Sequence, residues 1–454
     1  MGPSASEAAS ECHNCPDLVL YAMREDWRAA AVFVLAGLGT HCGSSSDSGG
    51  NGSAGAAGNG NSAAGNGNAA GAAGNAAGAA GNGNGAAGNG NAAGAAGGNA
   101  GSGNAAGNSN MAGATSSNGG SGNGAAGAAT VVGGSANGDW VNVTANLAGL
   151  STMCGNTGLI VAKPDKDEII AAVALHGLYS TVDAGKTWTP ISGSQKLTAS
   201  ASQLLFDPKD SGHYWVVGNH ALPVMVETAD NGETFTTQGN GAYIGLDYLG
   251  IDFSDPKRNL LVVGAHEIAQ AVSLSTDGGA TWTPIGAKLP ASVYCTAPYV
   301  VDSKTFLVGC ADGQIQRTTD SGATWTKVSS KGSNRGPLLA SDGSLYWPCT
   351  DGSLVRTTNG GADWADVLKT GTLGTPFPPV ELPDGRVAAI AKDGIVAGKA
   401  DGGVWAHVAP TLPSDPYTMT YSAPQKAFYY GHGDCMMVVP SNAIMRFPFD
   451  YTKN

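Results

Sequence analysis

The sequence predicts an all-β protein: a seven-bladed β-propeller with repeated hairpin turns, preceded by a disordered low-complexity linker. Three observations predict it. A short motif recurs six times in the C-terminal two thirds, about 40–47 residues apart. Each interval holds short apolar runs of strand character, four to a repeat. A lone strand-like segment ahead of the first repeat supplies the strand that the last one lacks, which closes a ring without free edges.

The chain divides into three parts, 1–42, 43–138 and 139–454. In the first, residues 1–22 are mostly polar, and Met23 makes a better start. Met23–Arg28 reads as a short charged n-region, and Ala29–Leu38 as an apolar run of signal length. That run is too short to span a bilayer. Gly39-Thr40-His41-Cys42 and a Ser/Gly stretch follow, which resembles a bacterial lipoprotein signal. The resemblance implies lipidation of Cys42 and attachment to the cell envelope, with plain secretion as the alternative. His41 departs from the small residue usual before the cysteine. Cys12 and Cys15 form a CxxC without a second pair at zinc spacing, so they carry no metal reading.

From Ser48 to Gly138 the chain has no Lys, Arg, Asp, Glu, His or aromatic residue. A tract of Gly, Ala, Asn and Ser cannot bury enough apolar surface to offset its ordering entropy. It reads as a tether, with an r.m.s. span of roughly 50–60 Å for a Gly-rich coil of this length.

The folded part is then 139–454. Its motif first appears as Thr181-x-Asp183-x-Gly185-x-Thr187-Trp188. Later copies centre on Asp230, Asp277, Asp320 and Asn359, and a shortened one on Asp401. The hydroxyl and the carboxylate can close a tight turn on backbone amides, and glycine supplies a positive φ. The closing aromatic starts the next strand and buries a large ring. Six copies of Ser/Thr-x-Asp-x-Gly-x-Thr-Trp resemble the Asp-box, or BNR repeat. On that resemblance Asp183, Asp230, Asp277, Asp320, Asn359 and Asp401 are structural.

Blade two illustrates the strands: Gln203–Phe206, Tyr214–Gly218 and Val224–Glu227, with a fourth after Phe235. Trp140–Val143 looks like a fourth strand without its own motif. After Trp405 only Tyr417–Tyr421, Ala427–Gly431 and Asn442–Phe447 can be read, so the N-terminal segment completes blade seven.

The head carries five cysteines, so at least one is unpaired. Cys295 and Cys310 fall on neighbouring strands of one blade, and Cys154 and Cys435 lie across the closure. Both are candidate disulfides in an exported protein. A Cys310–Cys349 link is the rival, and buried free thiols are the third possibility.

In propellers the loops between strands two and three share a face with the crossings from one blade to the next. His176, His220, His266 and His432 fall in or beside such two-to-three loops in blades one, two, three and seven. They are candidate ligand-binding residues. Neighbouring loops are too widely spaced to offer them jointly to one metal, given ligand distances near ~2 Å, so no metal or other cofactor is assigned. Blades four, five and six carry Asp312, Asp351 and Asp393, each followed by Gly, a type I′ hairpin signal. The crossings add Tyr243, with Asp247 and Tyr248 beside it, and Arg335, and Arg335 is the only arginine in a crossing.

The net charge of −12 excludes a nucleic-acid binder, which needs a basic surface. The Asp-box resemblance extends to sialidases, to endo-glucanases and to non-enzymatic propellers. Sialidases grip a carboxylate with three converging arginines. Here Arg317 and Arg356 sit at one repeat position on strands, and Arg258 and Arg386 belong to the opposite face. The sialidase-type N-terminal arginine motif is missing as well, and those enzymes have six blades. Asp-box endo-glucanases use two propellers, and this chain has one. The layout resembles single-head photosystem II assembly and stability factors, which bind proteins. The expectation is a monomeric, non-catalytic head, lipid-anchored in the envelope, docking an envelope protein or a glycan. A glycoside hydrolase is the alternative.

Overall fold

The computed structural model describes residues 129, 131–132, 136–152, 157–221, 223–239, 243, 245–369, 371–399, 404–432 and 444–453. Cys42, Cys154, Asp401 and Cys435 lie outside the described residues, as does Met23.

The described residues form seven sheets, antiparallel but for one added strand, arranged as a seven-bladed β-propeller. Blade one consists of Leu159–Ala162, Ile169–Val173, Gly177–Thr181 and Thr189–Pro190. Blades two to five repeat the order, from Ser200–Asp207, Leu246–Ile251, Cys295–Val300 and Leu338–Leu339 respectively. Blade six runs from Val380–Glu381 to Trp405–Ala409.

Blade seven is composite. Thr418–Ser422, Ala427–Gly431 and Ile444–Pro448 are completed by Val141–Asn142, with Val141 opposite Arg446. The Trp140 indole fixes this closure, donating to the Pro410 carbonyl at 3.1 Å and packing edge-on against Tyr430. Pairing also extends upstream of Asp139. Val131–Val132 runs parallel to the outer strand of blade six, and Ala129 bridges to Leu368 of blade five.

Each blade buries both faces against its neighbours, so inner strands read as unbroken apolar runs such as Ile169–Val173. Seven apolar clusters result, one in each seam between blades. The outer strands Thr189–Pro190 and Thr283–Pro284 are exposed, where proline costs no ladder bond.

Five described copies of the repeated turn share one hydrogen-bond net. In the third, the Ser275 hydroxyl donates to Asp277 at 2.8 Å, and the Gly279 amide donates to that hydroxyl at 2.8 Å. The Thr281 amide then closes on the same Asp277 oxygen at 2.8 Å. Asn359 takes the aspartate's place in the fifth copy with the same three bonds. The turn glycine is needed twice over. Gly322 has φ +89°, and a Cβ there would lie 2.5 Å from Ile285 of the preceding blade.

One sequence expectation changes, and the structure decides between alternatives at another. The Asp-Gly hairpins are not type I′, because Asp312 and Asp351 keep negative φ and only Gly313 and Gly352 turn left-handed. Gly313 donates to the Cys310 carbonyl and Cys310 to the Gln314 carbonyl, the pattern of a type I turn with a glycine bulge. Cys295 and Cys310 face each other across the ladder and are joined, so Cys310 is not free for Cys349. Cys349 is a buried free thiol. Arg258 lies in the opposite-face turn of blade three as read, and is in addition a buried tie between blades, forked onto Asp207.

Candidate functional site

The first strands of the blades line a central channel with a cavity of about 90 Å³. That is room for several waters or one inserted side chain, at roughly 10–15 Å³ per water. Its polar lining is largely engaged between blades. Gln203 accepts from the Leu249 amide, Ser202 donates to the Leu246 carbonyl, and Thr420 accepts from the Ala162 amide.

Arg335 is the exception. It sits in the crossing from blade four to blade five, held by Ser333. The buried Ser333 hydroxyl donates to Pro348 and accepts from the Arg335 amide. The half-buried guanidinium of Arg335 then lies over two aromatic faces, 4.9 Å from the Phe377 ring centre and 5.7 Å from that of Tyr417. Both rings come from the next two crossings. The Tyr248 and Tyr417 hydroxyls take some of its donors. Burial opposes the charge on Arg335, but these hydroxyls and Asp247 hold it more firmly cationic than an ordinary arginine. Burial raises both tyrosines, with Arg335 partly offsetting it. Among the described residues no carboxylate forms an ion pair with Arg335, and the channel lining contains no Asp or Glu.

A second group stands beside it. Asp247 and His266 are hydrogen-bonded at 2.7 Å through Nδ1, and the Asn219 amide donates to Asp247 at 3.3 Å. The His220 ring meets His266 edge-on at 5.0 Å. Burial lowers His220, reinforced by the charge of His266. Burial also acts to lower His266, but its bond to Asp247 and the carboxylate charge outweigh it, so His266 is raised. The charges of Arg335 and Asp247 reach both groups, which therefore share one electrostatic neighbourhood.

Of the residues singled out in the sequence, His220, His266, Asp247 and Arg335 come together. His176 and His432 are held elsewhere, His176 by the Ser151 carbonyl at 2.6 Å and His432 by that of Asp415 at 2.5 Å. Tyr243 packs in the seam between blades two and three, its hydroxyl 3.0 Å from that of Ser273. Among the described residues no three His, Cys, Asp or Glu side chains are grouped to hold a metal ion.

No family model matches this chain. No curated protein matches it either. Solved structures do. A GH74 enzyme from Niastella koreensis is similar at 16% identity and a TM-score of 0.47, over 68% of this chain and 53% of that one. YCF48 from Cyanidioschyzon merolae is similar at 12% identity and a TM-score of 0.40, over 68% of this chain and 97% of that one. A YCF48 bound to D1 peptide is similar at 20% identity and a TM-score of 0.39, over 56% and 94%. This chain spans about half the length of the GH74 structures. At these identities the likeness is one of fold.

Sequence reasoning missed Phe377 and the role of Tyr417. Phe377 and Tyr417 lie, like Arg335, just ahead of a blade's first strand. Aligning the crossings by that position was the available signal.

Proposed function

We propose that this propeller is a docking head that binds a protein or glycan partner at the mouth of its central channel. The observation that supports the reading is the character of that mouth: one stacked, unpaired arginine among aromatic residues. Glycoside hydrolysis calls for two carboxylates flanking the scissile bond. The cavity lining holds no Asp or Glu, and Asp247 beside it is committed by its bonds to His266 and Asn219. In this reading Cys42 is a lipid anchor in the cell envelope and 43–138 is the tether.

The test is to incubate the full chain with arrays of peptides and glycans, and with fluorogenic glycosides including a sialoside. A docking head retains a subset of the arrays, returns it chemically unchanged and releases no fluorophore. Release of sugar that disappears in Asp247→Asn contradicts the reading and favours a hydrolase.

A further inference from the structure

We infer that the channel mouth recognises a carboxylate of a peptide partner, supplied by its chain end or by an acidic side chain, and that Arg335 is the residue that grips it. This rests on the docking reading and names the chemistry of the docked group.

The first argument is the state of the guanidinium. Arg335 lies over Phe377 and Tyr417, whose own rings are 5.8 Å apart. Stacking fixes the plane of the fork, so little further ordering is needed for two parallel N–H···O bonds. Guanidinium carries five donors. The two hydroxyls beside it, of Tyr248 and Tyr417, cannot take all five.

The second is charge. The chain carries a net charge of −12, yet no described carboxylate neutralises this cation within ion-pair distance. Asp247 is turned to His266 and Asn219 instead. A charged group kept half-buried and unpaired calls for an anionic partner.

The third separates peptide from sugar. A pyranose ring is held by stacking on a free aromatic face, and the guanidinium already covers one face each of Phe377 and Tyr417. What is offered is the edge of a fork. The two-to-three loops of blades one and three each expose a single large apolar side chain, Leu175 at 43% and Ile268 at 42%. These loops share the channel-mouth face with the crossings.

The experiment titrates the full chain with four fluorescein-labelled probes. One is a randomised heptapeptide pool without Asp or Glu and with a free C-terminus. The second is the same pool amidated, and the third is amidated with one fixed Glu. The fourth is a uronic-acid oligosaccharide. The inference expects the first or third pool to bind, and the amidated pool without acid to bind on the order of tenfold more weakly or not at all. Comparing the first with the third tells chain end from side chain. Arg335→Lys keeps the charge but not the fork, and should lose about tenfold in affinity. Phe377→Leu should weaken the same probes and guards against misfolding of the arginine variant, with circular dichroism checking both.

Equal binding of the amidated and acidic pools overturns the inference and leaves the docking reading standing. So does a preference for the uronic oligosaccharide over every peptide. Unchanged affinity in a folded Arg335→Lys also overturns it. Turnover of glycosides with no probe retained overturns the docking reading itself.

Discussion

Arg258 and Asp207 form a two-pronged ion pair across the seam between blades two and three, Nε to Oδ2 at 2.8 Å and an η nitrogen to Oδ1 at 3.0 Å. Both side chains are buried, and Arg258 also donates to the carbonyls of Phe253 and Asp255. Burial raises Asp207, but the bond and charge of Arg258, the Lys209 amide and the charge of His213 together outweigh it and hold the carboxyl below its ordinary range. Removing one partner leaves the other charge buried and unpaired, which costs roughly 3–5 kcal/mol. Arg258→Ala and Asp207→Ala should each lower the urea midpoint by a large step. The double variant should cost less than the two single losses added together.

The repeated turns set the response to acid. Asp277 and Asp320 are lowered to about 2, first by hydroxyl bonds from Thr281 and Thr324. A folded-state pKa below the unfolded one stabilises at neutral pH, and the contribution fades as pH falls from about 4 towards 2. The melting temperature should therefore drop across that window. Asp277→Asn should flatten the drop without abolishing folding, because Asn359 already makes the same main-chain bonds. Thermal scans at half-unit pH steps check both outcomes.

At the mouth, the sign is opposite. His266 is raised through Asp247, so its contribution is full below the ordinary histidine range and is lost as pH rises through the raised value. Asp247→Asn should bring the His266 titration down, since burial and the charge of Arg335 are then opposed by the charge of Glu267 without the carboxylate bond. Histidine proton resonances followed against pH show this directly, and an unmoved His266 counts against the pairing.

Cys349 is buried, and burial pushes its thiol up to about 12. It should resist iodoacetamide in the native head and react once guanidinium unfolds the chain. With Cys295 and Cys310 joined, a Cys349→Ala variant should keep the same disulfide by peptide mapping under non-reducing conditions.

The anchor proposal has its own check. Cells fed labelled palmitate should mark the chain, and Cys42→Ser should remove the label and release the protein from the membrane fraction. Label retained in Cys42→Ser contradicts the proposal.

Much of the fold is legible because a repeat writes its period into the sequence. The Trp140 segment has no motif of its own and the last interval lacks a strand, so closure follows before any coordinates. Seam chemistry is harder to read. Arg258 and Asp207 lie 51 residues apart, and their meeting depends on the register between blades. Asp247 and His266 were individually visible, whereas their bond depends on Gly245, where a Cβ would lie 3.0 Å from Asn219. Phe377 and Tyr417 stood in irregular crossings, where apolar periodicity gives no signal.

The most direct test of the central claim is hydrogen–deuterium exchange on the full chain, with and without a ligand retained from the arrays. Docking at the channel mouth predicts slowed exchange in the crossings around Arg335, Phe377 and Tyr417, with the repeated turns around Asp183 to Asn359 unchanged. Protection confined to those turns, on the opposite face, would contradict it.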